Sequence, residues 1–196
     1  MANAIPRAML ADIATPIGEM VAAATDTHLL LLEFTYRRML DEQLSRVRRA
    51  LRCELERGHS PVFDLLRQQL TEYFDGDRRE FTVPMRTPGT PFQMRVWDTL
   101  QTIPHGTTTT YARVAESIGQ PTAVRAVARA NGDNRVSILI PCHRVIGSDG
   151  SLTGYGGGLW RKKRLLELEG AAQTLSLFED DEAIEAIRRP TPRPLA

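Results

Sequence analysis

Apolar residues cluster or alternate in three short runs near the start of the chain, at 8–14, 19–25 and 28–34, and each run predicts a β-strand. Thr15-Pro16-Ile17-Gly18 and Asp26-Thr27 supply the breaks between them. The period then changes. Leu40, Leu44, Val47, Leu51 and Leu55 recur at helical spacing and line one face, which leaves Cys53 on the opposite face. Ser60 and Pro61 mark the cap and first turn of a second helix, and Gly76 lies just past its end. Phe63, Leu66, Leu70 and Tyr73 would pack its inner side. These elements predict a small sheet-plus-helix scaffold over residues 1–87.

Breakers crowd the stretch from Pro84 to Pro91, which reads as an interdomain linker. Beyond it, Phe92, Val96, Trp97 and Leu100 lie on one side of a helix over about 91–102. Thr110 can cap a helix running through Ile118. Gly119-Gln120-Pro121 turns the chain, and Thr122 can cap another helix through Ala130. Helix, glycine turn and helix at this spacing predict a helix-turn-helix, although many helix pairs are only structural. The fold class is therefore two-domain α/β (α+β). A mostly helical domain at 88–171 is expected to follow the N-terminal one, with 172–196 expected as a mobile tail.

Charge adds little by its total, +1, and more by its distribution. Residues 88–171 hold 10 basic and 6 acidic side chains, while 1–87 hold 12 and 13 and the tail holds 3 and 5. A modest phosphate-facing surface fits this better than a strongly basic coat. No segment nears the roughly 18 to 20 unbroken apolar residues of a membrane span, and the N-terminus lacks a basic-then-apolar leader pattern. The two cysteines, Cys53 and Cys142, cannot make a disulfide framework and are too few for a cysteine-based zinc site. A reduced, soluble, cytoplasmic protein without metal or other cofactor is the expectation.

Chemistry concentrates at Pro141-Cys142-His143-Arg144-Val145, which sets a thiol beside an imidazole. Ile138, Leu139, Ile140 and Pro141 precede the thiol, so it should be partly desolvated and its pKa raised. A neighbouring base or cation is then needed to supply thiolate, the species that attacks. Taken alone, the pair would read as a buried structural cysteine with a surface histidine beside it.

Its surroundings change that reading. Pro91-Phe92-Gln93 with Val96-Trp97, Ile103-Pro104-His105-Gly106 and Thr110-Tyr111 lie upstream. Arg125-Ala126-Val127, Arg129-Ala130-Asn131-Gly132 and Asn134 follow. Ile140 to Val145, Gly154-Tyr155 with Gly157-Gly158, Leu165-Leu166 and Glu169-Gly170 close the series. In this order the motifs resemble the O6-alkylguanine-DNA alkyltransferases. The resemblance covers Thr90 to Gly170, and the preceding residues look like the family's more variable N-terminal domain.

The resemblance implies stoichiometric repair of O6-alkylguanine, and of O4-alkylthymine, in double-stranded DNA by transfer of the alkyl group to Cys142. In it, Glu169 orients His143, which deprotonates the thiol through a water, and Asn134 braces the turn before the nucleophile. Extruding a base from the duplex costs a few kcal/mol. Arg125 matches the family's arginine finger, which fills the gap left by the flipped base. Tyr111 matches the tyrosine that presses on the target phosphate and hydrogen-bonds the purine. Thr122 and Ala126 would lie on the DNA-facing helix. Tyr155, with backbone at Val145 and Gly156, would line the pocket. Some relatives carry serine where this chain has Gly156, which suggests a roomier pocket here.

Two other classes stay open from the residues alone. A non-catalytic helix-turn-helix regulator would keep its function after Cys142→Ser, and a cysteine hydrolase would turn over esters or peptides. Adjacent residues on an extended strand face opposite ways, so a hydrolase pairing of Cys142 with His143 would need a turn between them. In the tail, Gln173, Leu175, Leu177 and Phe178 resemble the short peptides by which bacterial repair proteins dock on the sliding clamp. The same apolar residues could instead fold back onto the domain.

Overall fold

The three apolar runs form β1 (Arg7–Ile13), β2 (Met20–Ala24) and β3 (Leu29–Phe34). The structure, a computed structural model, describes residues 7–171, and the tail's proposed clamp motif lies outside them. Every residue of β2 and β3 is buried, because the sheet is covered on both faces. α1 (Leu40–Leu51) packs over Val21, Ala23, Leu30 and Leu31. On the other face, α2 (Pro61–Phe74) joins Met20, Ala22, Leu32 and Phe34 in a core that extends into the C-terminal domain.

Two expectations for this half need correcting. Helix α1 stops at Arg52, whose left-handed φ of 50° reverses the chain, so Leu55 belongs to β4 (Glu54–Arg57). That strand pairs parallel to β1 and gives the sheet order β3-β2-β1-β4. Leu55 still points inward, but by strand pairing. Cys53 lies past the helix end and is buried with Val47 and Leu55 rather than on an outer face.

The C-terminal domain is mainly helical: α3 (Pro91–Gln101), α4 (Tyr111–Ser117), α5 (Val124–Gly132) and α6 (Leu159–Leu168). A capping box between Thr90 and Gln93 starts α3, and the Thr110 hydroxyl accepts from Arg113 N–H to start α4. Thr122 does not cap α5. That helix begins after Ala123 with no side-chain cap, and Thr122 is left exposed. Trp97 Nε1 donates to Ala130 O at 2.9 Å and ties α3 to α5. Two-residue strands β5 (Thr109–Thr110) and β6 (Val145–Ile146) pair in parallel. The run Ile138–Pro141 is not a strand; it carries the chain into a 3-10 turn at Cys142–Arg144.

The open edge of β3 is where the two halves meet. Leu29 pairs with the linker through Leu29 N–Pro84 O and Arg86 N–Leu29 O, both 2.8 Å. Leu32 pairs with the approach to Cys142 through Leu32 N–Arg135 O and Ser137 N–Leu32 O, again 2.8 Å. Both segments satisfy backbone groups that an edge strand would leave open. The N-terminal sheet thereby fixes where the cysteine segment starts.

Candidate active site

Asn134 organises the approach to the thiol. Its Oδ1 accepts from Val136 N–H at 3.0 Å, and its Nδ2 donates to Ile140 O at 2.9 Å and to Cys142 Sγ at 3.1 Å. Ile138 sits between these contacts at φ 76°, an unusual conformation for a β-branched residue. The Ser137 hydroxyl donates to the Glu33 carboxylate, and Asn131 Nδ2 donates to Cys142 O at 3.4 Å. The peptide frame around the nucleophile is therefore held from several sides.

Burial pushes the Cys142 thiol up, and the Asn134 hydrogen bond, Arg37 and Lys162 act against it. Lys162 is buried on α6, and its Nζ donates to Val145 O and Thr153 O, both at 2.6 Å. Burial lowers its pKa to about 8, which the Cys142 charge partly opposes. Neither cation was singled out from the sequence. The one available signal was that Lys162 and Lys163 are the only lysines in an arginine-rich chain.

The 3-10 turn sends His143 away from the thiol and toward Glu169. His143 Nε2 lies 2.9 Å from Glu169 Oε1, while Nδ1 is buried without a partner among the described residues. His143 therefore makes no direct hydrogen bond to Sγ. A carboxylate at Nε2 keeps the proton there and leaves the Nδ1 lone pair free to act as a base. Burial lowers the His143 pKa, so the ring is neutral and ready to accept.

Glu169 gathers more partners than the motif suggested. Arg144 reaches it through Nε–Oε2 at 2.8 Å and Nη2–Oε1 at 2.9 Å, and Tyr73 Oη donates to Oε1 at 2.7 Å. Burial alone would raise this carboxyl, but bonds from His143 and Arg144 hold it well below the usual carboxylate range. Gly106 N–H approaches Oε2 at 3.5 Å. At φ 77°, a Cβ on Gly106 would lie 2.8 Å from Glu169 O, so this turn needs glycine. Tyr73, expected only as core, is the least predictable member.

Of the expected pocket residues, Tyr111, Tyr155 and Val145 lie close to Cys142. Tyr111 is half-buried at the start of α4, and its hydroxyl donates to Thr153 O at 3.2 Å. The Tyr155 hydroxyl is buried without a partner among the described residues. Val145 N–H donates to Cys142 O, and Val145 O accepts from Lys162. The extra room expected at Gly156 is absent. A Cβ there would lie 2.7 Å from Arg37 Cζ and 2.8 Å from its Nε, so an arginine of the N-terminal domain fills that space. Arg125, Thr122 and Ala126 stand apart on the exposed start of the α5 region, and the Arg125 side chain makes no hydrogen bond or ion pair among the described residues.

Fold and site together define a two-domain protein with a thiol in a hydrogen-bonded frame, beside a histidine–carboxylate pair. Residues 91–171 match the family model of the 6-O-methylguanine DNA methyltransferase DNA-binding domain, and 11–87 match that enzyme's ribonuclease-like domain. The chain belongs to the 6-O-methylguanine DNA methyltransferase family. The methylated-DNA–protein-cysteine methyltransferase of Mycobacterium tuberculosis is 54% identical over 113 residues, covering 57% of this chain and 68% of that protein. The constitutive enzyme of Bacillus subtilis is 39% identical over 154 residues, covering 78% and 88%. The crystal structure of the M. tuberculosis O6-methylguanine methyltransferase superposes with a TM-score of 0.71 at 38% identity, over 91% of this chain and 99% of that one. A structure of M. tuberculosis OGT in complex with DNA gives 0.69 at 40% identity, over 87% and 99%.

Proposed function

We propose that this protein repairs double-stranded DNA by moving the alkyl group of O6-alkylguanine, and of O4-alkylthymine, onto Cys142, one group per molecule. The observation that carries this reading is the buried Cys142 thiol, hydrogen-bonded by Asn134, next to a neutral His143 backed by Glu169. His143 Nδ1 takes the thiol proton through a water. The thiolate attacks the alkyl carbon in line, a C–S bond forms, and the C–O bond breaks with its electron pair going to the base. The proton lost by the thiol ends on the released guanine, with Tyr111 hydrogen-bonded to the purine. A thioether has no easy leaving path, so the protein is spent.

Reaching a base inside a duplex requires flipping it out. Helices α4 and α5 form the helix-turn-helix that docks on DNA, with Thr122 and Ala126 on the contacting side. Arg125, exposed and without a partner among the described residues, enters the stack in place of the flipped nucleotide. The related M. tuberculosis protein crystallised with DNA supports such docking.

Incubation with a duplex containing O6-methylguanine, followed by peptide mass mapping, tests the proposal. One methyl group on Cys142 per protein is expected. Methylation at Cys53, or many turnovers per protein, would overturn it.

A further inference from the structure

Arg37 belongs to the loop after β3 in the N-terminal domain, yet its side chain ends inside the active site. Its guanidinium is ion-paired with the buried Glu33 and donates to Gly132 O and to Asn134 O, the latter at 3.1 Å. Those carbonyls flank the turn whose Asn134 side chain holds Sγ. Glu33 in turn accepts from Ser137 Oγ at 3.2 Å with both carboxylate oxygens. On its other side, Arg37 occupies the volume that a side chain at Gly156 would take. Next door, Tyr36 Oη donates to Gly157 O at 3.2 Å, so the loop after β3 lies along the glycine run.

We infer that Arg37 is a positioning and size-selecting residue of the alkyl-transfer site: it braces the Gly132–Asn134 turn under the nucleophile and walls the pocket beside Gly156. This rests on the alkyl-transfer reading above. The wall is charged and pinned by three acceptors, so a bulky apolar alkyl group cannot displace it without stranding the buried Glu33 carboxylate. Arg37 also favours the Cys142 thiolate, more strongly than Lys162 does. Its removal should therefore slow transfer of a small group while admitting a large one.

Arg37→Ala alone would leave Glu33 charged and buried, so the informative variant is Glu33→Gln with Arg37→Ala, accompanied by Arg37→Lys. Rates of Cys142 alkylation are measured with free O6-methylguanine and free O6-benzylguanine, alongside melting temperatures. In the double variant the benzyl-to-methyl rate ratio should rise by about tenfold, the scale of discrimination set by a pocket wall, while the methyl rate falls. Arg37→Lys, which refills the space with a cation, should bring the ratio back toward that of the native protein. Equal losses on both substrates would mean that Arg37 acts only in folding, and an unchanged ratio at unchanged rates would mean that it does not face the alkyl group. If the native protein itself takes no alkyl group, the alkyl-transfer reading fails rather than the role of Arg37.

Discussion

Tyr73 Oη donates a 2.7 Å hydrogen bond to Glu169 Oε1 across a sequence separation of 96 residues. Glu169 Oε1 also receives His143 Nε2, so a helix of the N-terminal domain touches the acceptor that sets the histidine's tautomer. The N-terminal domain therefore holds the site from two directions, through Tyr73 at the carboxylate and Arg37 at the turn.

Tyr73→Phe isolates the first of these contacts. The ring stays in its aromatic cluster with Phe74, Phe81 and His105. Loss of one buried hydrogen bond to a charged group should lower stability by about 1.5–3 kcal/mol. His143 and the two-point contact from Arg144 still orient Glu169, so the alkylation rate should stay within about threefold of native, less than one such bond is worth. Urea unfolding and single-turnover rates check both halves. A rate loss as deep as that of His143→Gln would place Tyr73 in the proton relay itself.

Stability should decline in two stages as the pH falls. The folded pKa of His143 is lowered from 6.5 and that of Glu169 from 4.5, so each binds fewer protons folded than unfolded. Stability must then decline as pH falls, first below about 6.5 through His143 and again below about 4.5 through Glu169. Melting temperature against pH reads this. His143→Gln should shrink the upper stage to the share of His105, whose pKa burial also lowers, and should weaken the lower stage, because His143 contributes most to holding Glu169 down. An unaltered upper stage would assign it to another group.

Asn134→Asp keeps an acceptor for Val136 N–H but replaces the donor to Sγ with a carboxylate. The thiolate then loses its hydrogen bond and gains a negative neighbour. A charged hydrogen bond worth about 1.5–3 kcal/mol corresponds to roughly a 10- to 150-fold slower alkylation at neutral pH. Raising the pH should recover part of the rate. A uniform loss at every pH would mean that Asn134 serves the turn and not the thiol.

Methylation of Cys142 should loosen the fold. Cys142 is buried and its Sγ is held by Asn134, so an added carbon overfills a packed site at a typical cost of about 1–3 kcal/mol. The methylated protein should melt below the free one in calorimetry. An equal or higher melting temperature would show that the site already has room for the carbon.

Much of this architecture could be read locally. The runs leading to β1, β2 and β3, the Ser60–Pro61 start of α2 and the Thr90 and Thr110 caps carry their signals within a few residues, and the structure places them accordingly. Leu55 shows where period alone fails: a left-handed Arg52 ended the helix, and the next leucine reached the same core from a strand. The motif order pointed to Cys142, His143, Asn134 and Glu169 as one group, and the fold pairs Asn134 with Cys142 and His143 with Glu169. Tyr73, Arg37 and Lys162 were illegible for another reason. Each enters the site by long-range packing, and a tyrosine on an apolar helix face or an arginine in a polar loop looks ordinary in one dimension.

Arg125 should separate access to the base from the chemistry on it. Its side chain is exposed and has no protein partner among the described residues, so Arg125→Ala should leave stability within about 0.5 kcal/mol of native. If Arg125 fills the gap as proposed, repair of duplex DNA by the variant meets the few kcal/mol of extrusion unaided, and should slow by at least tenfold or so. A free O6-alkylguanine base needs no extrusion. Its reaction depends on Cys142, His143 and the pocket, none of which contacts Arg125, and should change by no more than about twofold, the scale of a distant surface substitution. Single-turnover alkylation with both substrates decides the matter. Equal slowing on duplex and free base would place Arg125 in support of the pocket and leave base extrusion to another residue.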